Sequence, residues 1–168
     1  MAAVGILGGN PNETAVLFLR MCQEKGQKAM ASLYNLTENF RLPIVSIDEN
    51  EKTVPQILIL QDTTNYDFVR QWQEDCKDGE SYLIVNADNI SSAAFPPLRI
   101  ISYGFNQKAS VTASSVFDEA LQICIQRGFL SLSGRAYEAQ EFKAACPSGV
   151  SPHSVLGAAT ACALCDVF

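Results

Sequence analysis

The sequence predicts an α/β fold, a mostly parallel sheet flanked by helices, with an antiparallel strand patch in the C-terminal third. Three observations predict it. Short apolar runs alternate with helical patterns up to about residue 104, the mark of a parallel sheet covered by helices. Beyond Tyr103 the runs follow one another with short turns, as in a meander. With 168 residues, 48% apolar and 18% charged, the chain can bury one sizeable core and folds as one domain, 1–168.

The elements follow in order. Ala2-Ala-Val-Gly-Ile-Leu7 is a short apolar run of the kind buried on both faces of a parallel sheet. Gly8-Gly9 then turns the chain into a helix that ends at Gly26. Pro11 suits the first helical position, Asn10 the cap, and Glu13 stands where a capping box reaches back to the cap residue. Lys28–Leu33, Pro43–Asp48 and Gln56–Gln61 read as strands. Asn65–Cys76 has Phe68, Val69 and Trp72 at helical spacing, with Trp72 expected in the core. Tyr82–Val85 and Leu98–Tyr103 are strands again. Ser110–Phe117, Ala120–Gln126, Phe129–Leu132 and Glu141–Ala145 are expected as consecutive antiparallel strands, with a change of layer near residue 104. Ser151–Asp166 is an Ala-rich helix with Ser151 as cap and Pro152 at its first position.

Charge and composition exclude several functions. A net charge of −6 and a pI near 4.7, with no run of Lys and Arg, oppose nucleic-acid binding, which rests on basic patches. No apolar stretch approaches a membrane span, and the first residues carry no basic region, so a cytoplasmic protein is expected. Six cysteines and one histidine give too few ligands for a zinc site. Cys162-Ala-Leu-Cys165 has redox spacing, but it lies late in an apolar helix, where cysteines serve as small buried hydrophobes. No metal is expected.

The turn between first strand and first helix is where phosphate-binding loops hold their ligand. Helix-end amides favour an anion there and a Lys supplies full charge. Here Asn12 and Glu13 occupy the turn. A carboxylate about 5 Å from a phosphate charge costs on the order of 3 kcal/mol at an effective dielectric near 20. A helix capped by its own Asn10 and Glu13 accounts for these residues without a ligand.

Val4 to Lys28, VGILGGNPNETAVLFLRMCQEKGQK, resembles the phosphate-loop strand and helix of the Mur ligase central domain. That family shows Gly-Thr-Asn-Gly-Lys-Thr-Thr at the turn, and the register sets Gly8, Gly9, Asn10, Pro11, Asn12, Glu13 and Thr14 on those positions. Pro11 replaces a Gly, Asn12 the Lys, and Glu13 the metal-binding Thr or Ser. Val45-Ser-Ile-Asp48-Glu49 resembles the strand ending in a magnesium-binding acid, and Thr64-Asn65-Tyr66-Asp67 the Thr-Asn…Asp-His segment, with Phe68 for the His. Val85-Asn86-Ala87-Asp88-Asn89 is similar to the Leu-Asn-Ala-Asp-Asp turn, and Ser102-Tyr103-Gly104-Phe105 to the Tyr-Gly strand end. Pro152-His153-Ser154-Val155-Leu156-Gly157 resembles the His-Asn-Val-Leu-Asn helix start, with Ser154 and Gly157 for the two Asn that help hold ATP.

The resemblance spans Val4 to about Leu164 and implies a degenerate, stand-alone central domain: a binding or regulatory module near cell-wall-type ligation. It implies cofactor-site positions at Gly8, Gly9, Asn10, Asn12, Glu13, Thr14, Asn86, Asp88 and His153, and no bound cofactor. The alternative is an altered-pocket enzyme that still uses ATP and Mg and is completed by partner chains. A protein partner or a homo-oligomer fits either. Taken singly, Asn86 and Asp88 suit turn chemistry, Asp48, Glu49 and Glu51 an exposed acidic loop, and His153 either solvent or a ligand.

Overall fold

The computed structural model describes residues 2–35, 40–44, 55–62, 66–76, 81–91, 95 and 99–168. Nine strands form one sheet in the order β11-β8-β7-β6-β5-β4-β1-β2-β3 among these residues. In chain order they are β1 (Ala2–Leu7), β2 (Ala29–Asn35), β3 (Phe40–Ile44), β4 (Ile57–Leu60), β5 (Tyr82–Asn86), β6 (Arg99–Tyr103), β7 (Val111–Phe117), β8 (Ala120–Ile125) and β11 (Gln140–Ala145). The helices are α1 (Pro11–Glu24), α2 (Tyr66–Asp75) and α3 (Pro152–Leu164). No helix among the described residues is long and apolar enough to cross a membrane.

β1 pairs in parallel with both β2 and β4, and β4, β5 and β6 continue the parallel set. The chain leaves β1 toward β2 on one side and returns to β4 on the other. Strand order therefore reverses between β1 and β4. Open α/β sheets open a crevice at the carboxyl ends of the strands at such a switch point. The Gly8-Gly9 turn and Gln61, which follow β1 and β4 directly, flank it.

β4 and β5 are buried at every position because both faces of the sheet are covered. Val4, Ile6, Ile57, Ile59 and Ile84 face one core with α1 and α3, while Leu7, Leu58, Leu60, Leu83 and Val85 face another with Val69 and Trp72 of α2. The Trp72 indole donates to the Pro55 carbonyl at 2.9 Å, satisfying its one polar group. Every residue of α3 from Ser154 to Leu164 is buried, which requires the small side chains that fill this helix.

The C-terminal third corrects two expectations. The antiparallel strands do not change layer: β7 joins β6 in parallel at Tyr103–Val111, so one sheet continues. Nor do the strands form an unbroken meander. β7, β8 and β11 are antiparallel neighbours, but Phe129–Leu130 (β9) pairs with Ala136–Tyr137 (β10) in a separate two-stranded ribbon. That ribbon is drawn to the end of α3, where Leu132 N–H donates to Leu164 O at 2.9 Å. β3 runs antiparallel to β2 as the opposite edge. The helix expected over Asn65–Cys76 is seen as Tyr66–Asp75, and that over Ser151–Asp166 as Pro152–Leu164. Asp48, Glu49 and Glu51, with Thr64 and Asn65, lie outside the described residues.

All six cysteines are free thiols, and Cys22, Cys146 and Cys162 are buried. Burial, helped by Asp75, pushes the Cys76 thiol up to about 11, and burial pushes Cys165 up to about 12. Cys162 packs against Met21 of α1, at the wrong end of α3 for the helix dipole to favour a thiolate.

Candidate functional site at the strand ends

The carboxyl ends of β1, β4, β5 and β6 and the first turns of α1 and α3 bring the candidate residues to one rim of the sheet. Gly8 and Gly9 take φ of +80° and +61°, the left-handed region open to glycine at little cost. Gly9 is required twice, since a Cβ there would lie 2.8 Å from Gln61 Cβ. Asn10 caps α1 by accepting Glu13 N–H at 3.4 Å, Pro11 fills the first turn, and Asn12 is exposed.

Glu13 departs from its expected role. Its carboxylate accepts the N–H of Ser151, the cap residue of α3, at 3.1 Å. The expected capping box would have turned it back onto its own helix. The two helix starts lie side by side, and Ser151 makes no capping bond of its own through its side chain, so Glu13 of α1 serves the head of α3. A carboxylate is favoured there by the helix dipole.

Beneath the turn lies a buried polar group. Gln61 Nε2 donates to Thr14 Oγ1 at 2.7 Å, and the Gln61 carbonyl accepts from Asn89 Nδ2 at 3.2 Å. Among the described residues, Gln61 Oε1 and the Tyr103 hydroxyl are buried without a hydrogen bond of regular geometry. The Tyr103 ring is pressed by α3: a Cβ on Gly157 would stand 3.2 Å from its Cζ. Burial holds the Tyr103 phenol far above its ordinary range, so it stays neutral.

Asp88 is the best-connected member. Asn86, itself buried, accepts Asp88 N–H at 3.1 Å and shapes the turn after β5. The Asp88 carboxylate then accepts Phe105 N–H at 2.7 Å and Asn106 N–H at 2.8 Å, and it meets His153 Nε2 at 2.8 Å. An ionised carboxylate only accepts, so Nε2 carries the proton. Partial burial opposes the charge, but the two amides and the imidazole outweigh it and hold Asp88 below the usual carboxylate range. Gly104, at φ +142°, lets the chain come this close, since a Cβ would fall 2.7 Å from Asp88 Oδ2. The Phe105 ring packs edge-on to His153 at 5.0 Å.

Of the sequence-derived residues, Asp88 meets His153, Gly9 and Thr14 meet Gln61, and Glu13 meets Ser151, two positions before His153. Gln61, Phe105 and Asn106 complete the constellation without having been singled out as site residues. A polar residue directly after the ILIL strand was the one available signal for Gln61. Among the described residues no three His, Cys, Asp or Glu side chains gather as a metal site.

The residues do not fit a triphosphate. Pro11 offers no N–H, Asn12 no charge, and Glu13 already fills the head of α3 with a carboxylate. The arrangement holds loops and helix starts in fixed relation through hydrogen bonds internal to the chain. Comparison with protein-family models and with curated proteins yields no match.

Proposed function

We propose that this chain is a degenerate relative of the Mur ligase central domain that acts as a binding or regulatory module and has lost ATP-dependent ligation. The observation that carries the proposal is the Glu13–Ser151 bond of 3.1 Å. A phosphate-holding turn keeps its helix-end amides for the ligand. Here the Asn10 side chain takes the Glu13 amide at the head of α1, and the Glu13 carboxylate stands beside that turn, fixed on Ser151 N–H at the neighbouring head of α3. Asp88 is likewise engaged by the Phe105 and Asn106 amides and by His153.

Calorimetric titration with Mg-ATP tests the proposal. Wild-type protein is expected to bind no better than about millimolar, or ~4 kcal/mol. The substitutions Pro11→Gly, Asn12→Lys and Glu13→Thr together should restore measurable affinity. A micromolar constant for the wild type would overturn the proposal in favour of the altered-pocket ATP- and Mg-dependent enzyme completed by partner chains.

A further inference from the structure

β11 ends the sheet, and its second edge is open among the described residues. The direction of its backbone groups follows from one bond, Cys146 N–H to Glu119 O at 2.9 Å. In an antiparallel ladder directly opposed residues bond alternately. With the register Ala145–Ala120 and Ala144–Leu121, residues 140, 142 and 144 exchange bonds with β8. The N–H and C=O groups of Glu141, Lys143 and Ala145 therefore point away from the sheet. Lys143 and Ala145 line a groove of about 440 Å3 between this edge and the second half of α1. That volume is in the range of ligand-binding clefts.

The groove has a strand edge on one side and a helix stripe on the other. Leu17 and Met21 of α1 face Phe142 and Ala144 of β11, and Phe168 closes one end, its ring 4.8 Å from that of Phe142. The α1 stripe from Leu17 to Lys25 spans about 12 Å and β11 from Gln140 to Ala145 about 17 Å, enough for four or five extended residues. The rim reverses the sign of the molecule. In a chain of net charge −6 it carries Arg20, Lys25 and Lys143 against Glu24, bridged to Arg20 at 3.0 Å, and Glu141 of the edge strand, which accepts from Gln122 at 3.3 Å. The surface lies along α1 away from the Glu13 turn and does not depend on how that turn is read.

We propose that this groove docks an extended peptide segment of a partner protein, alternating apolar and acidic residues, which adds to β11 as a further strand. Strand addition draws affinity from main-chain hydrogen bonds and selectivity from alternate side chains. Residues opposite Phe142 and Ala144 turn into the apolar groove. Those opposite Lys143 lie on the face of its ammonium, which is held 5.8 Å from the Phe117 ring centroid. The alternation thus follows from the pleat, and the acid from the rim.

Fluorescence anisotropy with a labelled, acetylated Val-Glu-Val-Glu-Val amide tests the proposal on the whole chain. Saturable binding in the tens of micromolar is expected, on the order of 6 kcal/mol. A Val-Val-Val-Glu-Glu control should bind at least about tenfold more weakly, because its side chains fall on the wrong faces. Methylation of the two glutamate amide nitrogens, which would donate to β11, should abolish binding. Lys143→Glu, an exposed change, should weaken binding about tenfold by reversing a rim charge. Met21→Trp, filling the groove, should remove it, with circular dichroism reporting the fold. Undiminished binding of the methylated peptide would overturn strand addition. Absence of saturation below about millimolar would overturn the site. A dimer in sedimentation that Lys143→Glu disperses and the peptide does not displace would assign the edge to a second copy instead, and overturn the peptide.

Discussion

The parallel half and the antiparallel half of the sheet differ in where they can meet other molecules. β4 and β5 are buried at every residue, sandwiched by α1 and α3 on one face and α2 on the other. β8 alternates, with Leu121, Ile123 and Ile125 buried and Ala120, Gln122 and Cys124 half-buried between them, because only its inner face is covered. A strand covered on both faces exposes only its ends, so chemistry in the parallel half gathers at Gly9, Gln61, Asp88 and Gly104. A strand covered on one face keeps an outer surface, and the last of them also keeps an edge.

Ile84→Ala, in fully buried β5, should lower the unfolding free energy by about 3 kcal/mol, read from urea denaturation. A loss below about 1 kcal/mol would mean that the two layers close over the cavity and that double coverage matters less than supposed. At the strand ends, Asp88→Asn should cost about 1 kcal/mol at neutral pH, since a partly exposed amide cannot replace a carboxylate accepting two N–H groups and an imidazole. The pH dependence has a fixed sign. Asp88 is held below its ordinary value, so its contribution is fully present above the unfolded aspartate value of about 4 and is lost as pH falls through the folded one. The gap between wild type and variant should close as pH falls below about 4. A gap that persisted in strong acid would refute the clamp. On the outer face, Phe117→Ser should change stability by no more than about 0.5 kcal/mol, because the ring is 53% exposed. A larger loss in thermal unfolding would show that the antiparallel half relies on its open side.

The same contrast explains what could be read in advance. The runs AAVGIL, ILIL and YLIV announced strands because both faces needed apolar residues. The start of α1 was legible from Asn10 and Pro11, whose effects are local. Glu13 was misjudged because its partner stands 138 residues away, and a capping box reads only a helix's own first turn. Local pattern is equally silent on His153, whose partner Asp88 lies 65 residues off. Gly157, matched by resemblance to an ATP-contacting position, owes its place here to the Tyr103 ring. In the last third, pattern identified strands but not partners. Phe129–Leu130 has ordinary strand composition, and only the pull of the ribbon toward Leu164 decides that it leaves the sheet.

The enclosure of α3 has a consequence for synthesis. This helix is buried from Ser154 to Leu164 and packs on α1 and on β4, β5, β6, β7 and β11, yet it is the last described element to leave the ribosome. Strands β4 to β7 must wait with part of one face uncovered until it arrives, an interval of several seconds at ordinary elongation rates of about 5–20 residues per second. Contacts between the two ends of a chain also form slowly. During that interval Ile59, Ile84 and Ile101 form an apolar surface open to holdase chaperones. Nascent-chain arrest just before residue 152 should capture the protein in its most chaperone-dependent state.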